Sequence, residues 1–215
     1  MDASPSLGIV AAAVALQEGE VDAALTLVTR DDHRGMMGRL ILQTSAIRSA
    51  ILLALGDRGG AVREIERAHV SSVRGEVMHQ FSMLGYGGEV LVELGDEVFA
   101  RDGAAYLARY PLLRSFGPFG HVNPDALRGW LALRFDAVDE AEQHFNTGLE
   151  WASRPDVRFG VDAGRCHQGL ADVAERRGDI EAAREHLDAA GALFAQHGAR
   201  LYLDQVLAKK QFLKA

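Results

Sequence analysis

The sequence predicts an all-α protein built as a stack of helical hairpins, an α-solenoid, and three observations lead there. A Gly or Asp break falls at Gly19, Gly56, Gly95, Asp136 and Gly178, and five residues after each comes an alanine: Ala24, Ala61, Ala100, Ala141 and Ala183. The alanines are spaced by 37, 39, 41 and 42 residues, and recurrence in fixed phase at this period marks a hairpin array. The segments flanking the breaks carry apolar residues at three- and four-residue intervals, the helical period. Ala, Leu, Arg and Glu dominate, with five prolines and 7% aromatic residues, a composition rich in strong helix formers. At 215 residues, 48% hydrophobic and 25% charged, the chain suits one solenoid of five or six hairpins with a continuous core. The expected organisation is a single domain over 1–215, with hairpins at about 5–31, 36–73, 76–110, 123–153 and 157–198 and a capping helix at 199–214.

Taken in order, Leu7 to Leu16 and Val21 to Val28 form an Ala-rich first hairpin around Gly19, and Asp31 to Gly35 is a polar connector. The second hairpin places Leu40, Ile41, Ile47, Ile51 and Leu52 on its first helix and Val62, Ile65 and Ala68 on its second. Asp57 is its expected N-cap. The third starts at Glu76 and carries Gly85, Gly87 and Gly88 inside a helix. Each costs about 1 kcal/mol relative to Ala, so close packing or a kink is expected there. Asp96 caps the next helix and Pro111 ends it. Residues 111–123 are the longest irregular segment, and Phe116 and Phe119 are expected to plug a groove between hairpins.

Asn123-Pro124-Asp125 is a helix start, with a capping Asn, Pro at the first position and an acid in the first turn. Val138, Ala141, Phe145, Leu149 and Ala152 make one apolar stripe. Pro155 restarts the chain toward a helix from about Val157 to Arg177. Ile180, Ala183, Leu187, Ala190 and Phe194 alternate by three and four after Gly178-Asp179. Tyr202, Leu203, Val206, Leu207 and Leu213 give the final helix one apolar face, the kind of cap an array requires.

The net charge of −7 and the lack of a basic stripe argue against direct nucleic-acid binding, since Lys209, Lys210 and Lys214 are the only lysines. Cys166 is single, so no intrachain disulfide forms and a reducing compartment is expected. No leader-like segment is seen at the N-terminus and no apolar run is long enough to span a membrane. A cytoplasmic protein is therefore expected. Eight histidines include no His-Glu-Xaa-Xaa-His spacing, and Cys166 and His167 point to different sides of a helix. No catalytic residue, metal or cofactor is expected. His121, in the long loop, is the histidine singled out for test.

Arg177-Gly178-Asp179-Ile180-Glu181-Ala182-Ala183, followed by Leu187 and Ala190, resembles the second half of a tetratricopeptide repeat, and Asp139-Glu140-Ala141 with Phe145 matches the same stretch. Leu170 and Gly129 fall at first-helix positions that the family fills with Leu and Gly. The family's Trp, Tyr and closing Pro positions are mostly unmatched. The stretch from Gly169 to Leu201 is also similar to the C-terminal repeat regions of LuxR-type activators and cyclase-linked ATPase regulators of bacteria. The resemblance implies a right-handed solenoid whose first helices line a concave face. Gln43, Ser82, Glu89, Trp130, Arg134, Arg165, Gln168, Asp172 and Arg176 would face inward there. It further implies a non-enzymatic module in bacterial regulation or signalling that binds a protein or peptide segment, a second copy of the chain being one candidate. The alternative is a sensor holding a small molecule beside Trp130.

Overall fold

The computed structural model describes residues 5–30, 38–73, 77–116, 122–157 and 159–213. Among them there are eleven α-helices and no strand. The chain divides into two compact units, one of residues 1–111 with 115–122 and one of 112–114 with 123–215. The connector 31–35, Glu76, Phe119, His121 and Lys214 fall outside the described residues.

Unit 1 holds α1 (Pro5–Gln17), α2 (Val21–Arg30), α3 (Gly38–Ala54), α4 (Arg58–Val73), α5 (Val77–Leu94) and α6 (Glu97–Ala108). Here α1 packs on α2 and α3, α3 on α4 and α5, and α5 on α4 and α6. Unit 2 holds α7 (Pro124–Arg134), α8 (Val138–Ala152), α9 (Gly160–Arg176), α10 (Ile180–His197) and α11 (Arg200–Phe212). In it α9 packs on α7, α8 and α10, and α11 packs on α10. No described helix is long and apolar enough to cross a membrane.

Four of the five recurrent breaks share one backbone device. Gly19, Gly56 and Gly178 adopt φ of +81°, +81° and +78°, and Asp136 adopts +61°. After each, the next N–H reaches the carbonyl five residues back: Glu20 to Ala15 (2.8 Å), Asp57 to Leu52, Ala137 to Ala132 and Asp179 to Ala174 (2.9 Å each). This is the Schellman closure, which satisfies two otherwise orphaned carbonyls while reversing the chain. Gly198 repeats it at the end of α10, with φ +69° and Ala199 N–H on Phe194 at 3.0 Å. Gly95 does not take a positive φ. There α5 ends on a bond from Gly95 N–H to Leu91 O (3.0 Å), and Asp96 caps α6 by accepting from Phe99 N–H (2.8 Å). Asp57 caps α4 in the same way, accepting from Gly60 N–H at 2.8 Å.

The five phased alanines are each the fourth residue of a second helix, and each is 0% exposed. That position lies just past the corner, where two joined helices are closest, so only a methyl group fits. One turn on, Val28, Ile65, Phe145 and Leu187 are buried and fill the wider gap.

Small residues admit the large ones opposite. A Cβ on Gly129 (α7) would lie 2.5 Å from the Phe145 ring, and one on Gly169 (α9) would lie 2.1 Å from it. Phe145 of α8 is therefore seated against the bare backbone of its own partner helix and of the next. Gly164 repeats the arrangement against Phe194 at 2.5 Å. The helix α5 is unbroken through its interior glycines, and at Gly87 the reason is close packing, since a Cβ there would meet Ile65 at 2.4 Å. Gly85 O accepts Val122 N–H at 3.2 Å, and buried Phe116 meets Phe81 edge-on at 6.0 Å.

Three details differ from the sequence expectation. The helix expected from Val157 begins at Gly160, because residues 153–157 form a turn in which Val157 N–H bonds Arg154 O (3.0 Å). Ile180 and Leu207 are exposed by 38% and 48% although their spacing puts them on apolar stripes. Ile180 opens α10 at the corner, and Leu207 lies at the edge of a helix covered on one side.

Gly169→Ala is expected to destabilise the protein by about 1–3 kcal/mol through overpacking against Phe145, although Ala gains about 1 kcal/mol in helix propensity. Gly191→Ala, whose Cβ would find its nearest neighbour at 3.6 Å, is expected to stabilise by up to about 1 kcal/mol. Urea denaturation of the two variants checks the pair.

Candidate ligand-facing cluster on α7, α9 and α11

On α9, Arg165, Gln168, Asp172 and Arg176 follow at helical spacing and share one side with Trp130 of α7 across from them. The Trp130 Nε1–H donates to Asp172 at 3.0 Å, and its ring meets Phe145 edge-on at 5.5 Å. The Arg165 guanidinium lies over two rings at once, 4.3 Å from the centroids of Trp130 and of Tyr202 in α11. Each such contact is worth about 0.5–2 kcal/mol, more when water is excluded, and Arg165 is buried. Its Nη1–H donates to Gln168 Oε1. Lys209 of α11 closes the set, donating to Asp172 and pairing with Glu175 at 2.7 Å. Burial opposes charge on Lys209, but Asp172 and Glu175 overcome it and hold the ammonium above its usual pKa.

The remaining expected residues are placed differently. Gln43 and Ser82 are buried and join α3 to α5 through a 3.0 Å bond from Gln43 Nε2 to Ser82 Oγ. Glu89 on α5 and Arg134 on α7 are half-buried. Arg176 is exposed and reaches Asp136 at 3.2 Å, at the α7–α8 corner. The structure thus joins Trp130, Arg165, Gln168 and Asp172 in one cluster. It adds Tyr202, Lys209 and Glu175, which sequence reasoning had assigned to a cap or passed over. The available signal was the seven-residue spacing of Tyr202 and Lys209, which puts both on the same side of α11.

Behind the cluster the first turns of α7 and α9 bury several polar groups. Asn123 caps α7, accepting from Asp125 N–H (2.9 Å) and Ala126 N–H (3.0 Å). Asp125 accepts from Arg128 at 2.7 Å and from Arg114 at 3.3 Å, and Arg128 also holds Leu113 O at 3.1 Å. This buried acid ties the 112–114 strand of chain to α7. Burial raises its pKa against the pull of both arginines. Burial also pushes Asp162 up to about 6, with Asn123 and Arg165 opposing. Cys166 is buried beside these acids and its thiol is pushed up by burial, which keeps it in the unreactive protonated form. Among the described residues no group of three or more His, Cys, Asp or Glu is arranged to hold a metal.

No protein-family model matches the chain, and no curated protein matches it.

An acid with a raised folded pKa favours folding while protonated, so the contribution of Asp162 is complete below its ordinary value of 3.8 and lost as pH rises through about 6. Asp162→Asn stays neutral throughout. It is expected to match the parent near pH 4 and exceed it by about 1–3 kcal/mol at pH 8. The difference between the two proteins in denaturation midpoints across that range checks this.

Proposed function

We propose that the chain is a non-enzymatic, tetratricopeptide-like binding module of bacterial regulation, and that the face made by α7, α9 and α11 receives a protein or peptide segment. Each unit would be a stretch of right-handed helical-hairpin solenoid. The recurring Schellman corners with buried fourth-position alanines support that architecture, as does the packing of α1 on α3 and α3 on α5 within unit 1 and of α7 on α9 within unit 2. Such arrays work through extended recognition surfaces.

The observation that carries the ligand face is the bridging of three helices by Trp130, Arg165 and Tyr202, with Asp172 and Lys209 alongside. These contacts preorganise the side chains, so little rotamer freedom remains to be lost when a partner docks. Exposed Arg176 and half-buried Gln168 edge the cluster and offer donors suited to a carboxylate or a peptide backbone. A small molecule beside Trp130 would have to displace Arg165 from between its two rings, and this favours a peptide lying across the surface.

Selection from a random peptide library against the purified protein provides the test. Arg176→Ala and Gln168→Ala are each expected to weaken selected peptides about tenfold or more, a loss of about 1.4 kcal/mol. The first leaves the melting temperature nearly unchanged, because its pair with Asp136 is exposed, and the second also lowers it by removing the acceptor of buried Arg165. Trp130→Phe, which removes the donor to Asp172 and shrinks the ring that Arg165 and Phe145 pack on, is expected to cost about 1–3 kcal/mol of stability. Selected peptides that bind both surface variants as well as the parent would place recognition elsewhere.

A further inference from the structure

Away from the ligand face, α9 and α10 bring two imidazoles together. His167 Nδ1 and His186 Nδ1 are 3.1 Å apart, the ring centroids are 5.3 Å apart and the planes are inclined by 37°. With the centroids so far separated, the nitrogens reach that distance only by lying on the facing edges of their rings. A tetrahedral metal site needs further ligands besides two imidazoles, and among the described residues no group of three or more His, Cys, Asp or Glu is arranged to supply them. The observed separation fits a single proton between them.

We propose that His167 and His186 form a proton-sharing clasp that locks α10 onto α9 near neutral pH and releases when acid supplies a second proton. With one ring carrying Nδ1–H and the other presenting its Nδ1 lone pair, the bond is complete and both rings are neutral. A first added proton enters at an outer Nε2 of the donor ring and leaves the shared bond in place. The second must enter at the accepting Nδ1, so two N–H groups and two positive charges then face each other.

The charged groups around the pair do not remove that conflict. Glu142 of α8 faces His186, but its carboxylate is engaged by Arg177 at 2.9 Å, and Arg177 also holds Asp139 at 2.7 Å. Glu185 lies beside His186 on α10. Burial lowers the pKa of both histidines, with His186 adding to the effect at His167, and Glu185 and Glu142 only partly offset it at His186. A lowered folded pKa gives stability that is present above the ordinary histidine value of 6.5 and lost as pH falls below it. Because α9 also carries Arg165, Gln168 and Asp172, the clasp governs how firmly the proposed binding helix is held. That consequence rests on the proposed function, but the clasp itself does not.

Long-range nitrogen–proton NMR on the parent protein labelled at histidine gives the direct test. One Nδ1 protonated and the other bare is expected at about pH 7.5, with the second protonation appearing on the acid side of the ordinary histidine value. In melting experiments across about pH 8 to 5, His167→Gln and His186→Gln are each expected to flatten the acid-side loss, and the double variant to flatten it little further. Two bare Nδ1 atoms in the parent at neutral pH would overturn the clasp. So would independent titration of the rings with additive effects of the two substitutions.

Discussion

The approach of one helix backbone to another at the corners is the constraint on which the rest of the structure depends. A chain that reverses through a left-handed residue and two back-directed hydrogen bonds leaves its second helix almost touching its first. The fourth residue of that helix then has room for a methyl group, and alanine sits there after each such corner within a pair, as Ala100 does after the differently built corner at Gly95. A turn later the gap widens to accept Phe145 or Leu187. The glycines on the facing helices let the larger rings settle on bare backbone. Close packing of this sort is intolerant of added volume, which ties the spacing of the repeats to the geometry of their corners.

The same geometry determines what the outward-facing side chains can do. Because α7, α9 and α10 are held tightly, Trp130, Arg165 and Asp172 meet at fixed distances, and α11 adds Tyr202 and Lys209 to them. Asp172 is the hub of the cluster: it receives the indole of one helix and the ammonium of another. The charges of Asp172 and Lys209 are thus paired within the cluster itself.

The helices, their corners and most buried positions were legible in the sequence because they follow from period and from residues with narrow backbone preferences. Asp57, Asp96 and Asn123 cap where their spacing says they should. Gly95 was legible as a break but not as a different kind of corner, since sequence does not distinguish a left-handed closure from a capped kink. Trp130, Arg165, Gln168 and Asp172 could be grouped because three of them share one face of one helix. Gln43 and Ser82 have the same phase, yet they bond to each other in the interior of unit 1. Phase specifies the direction of a side chain, whereas its exposure depends on what packs over it. Tyr202 and Lys209 escaped the grouping because their partners lie on a helix more than thirty residues earlier. A contact across that separation leaves no periodic trace.

The sole sulfhydryl of the chain gives unit 2 a built-in reporter. Cys166 of α9 is fully enclosed against α8, where a methyl placed on Gly148 would already touch its sulfur. An alkylating reagent in solution can reach it only when those helices part. The labelling rate of the unaltered protein therefore follows the frequency of that opening, and no probe has to be engineered into a core with no space for one.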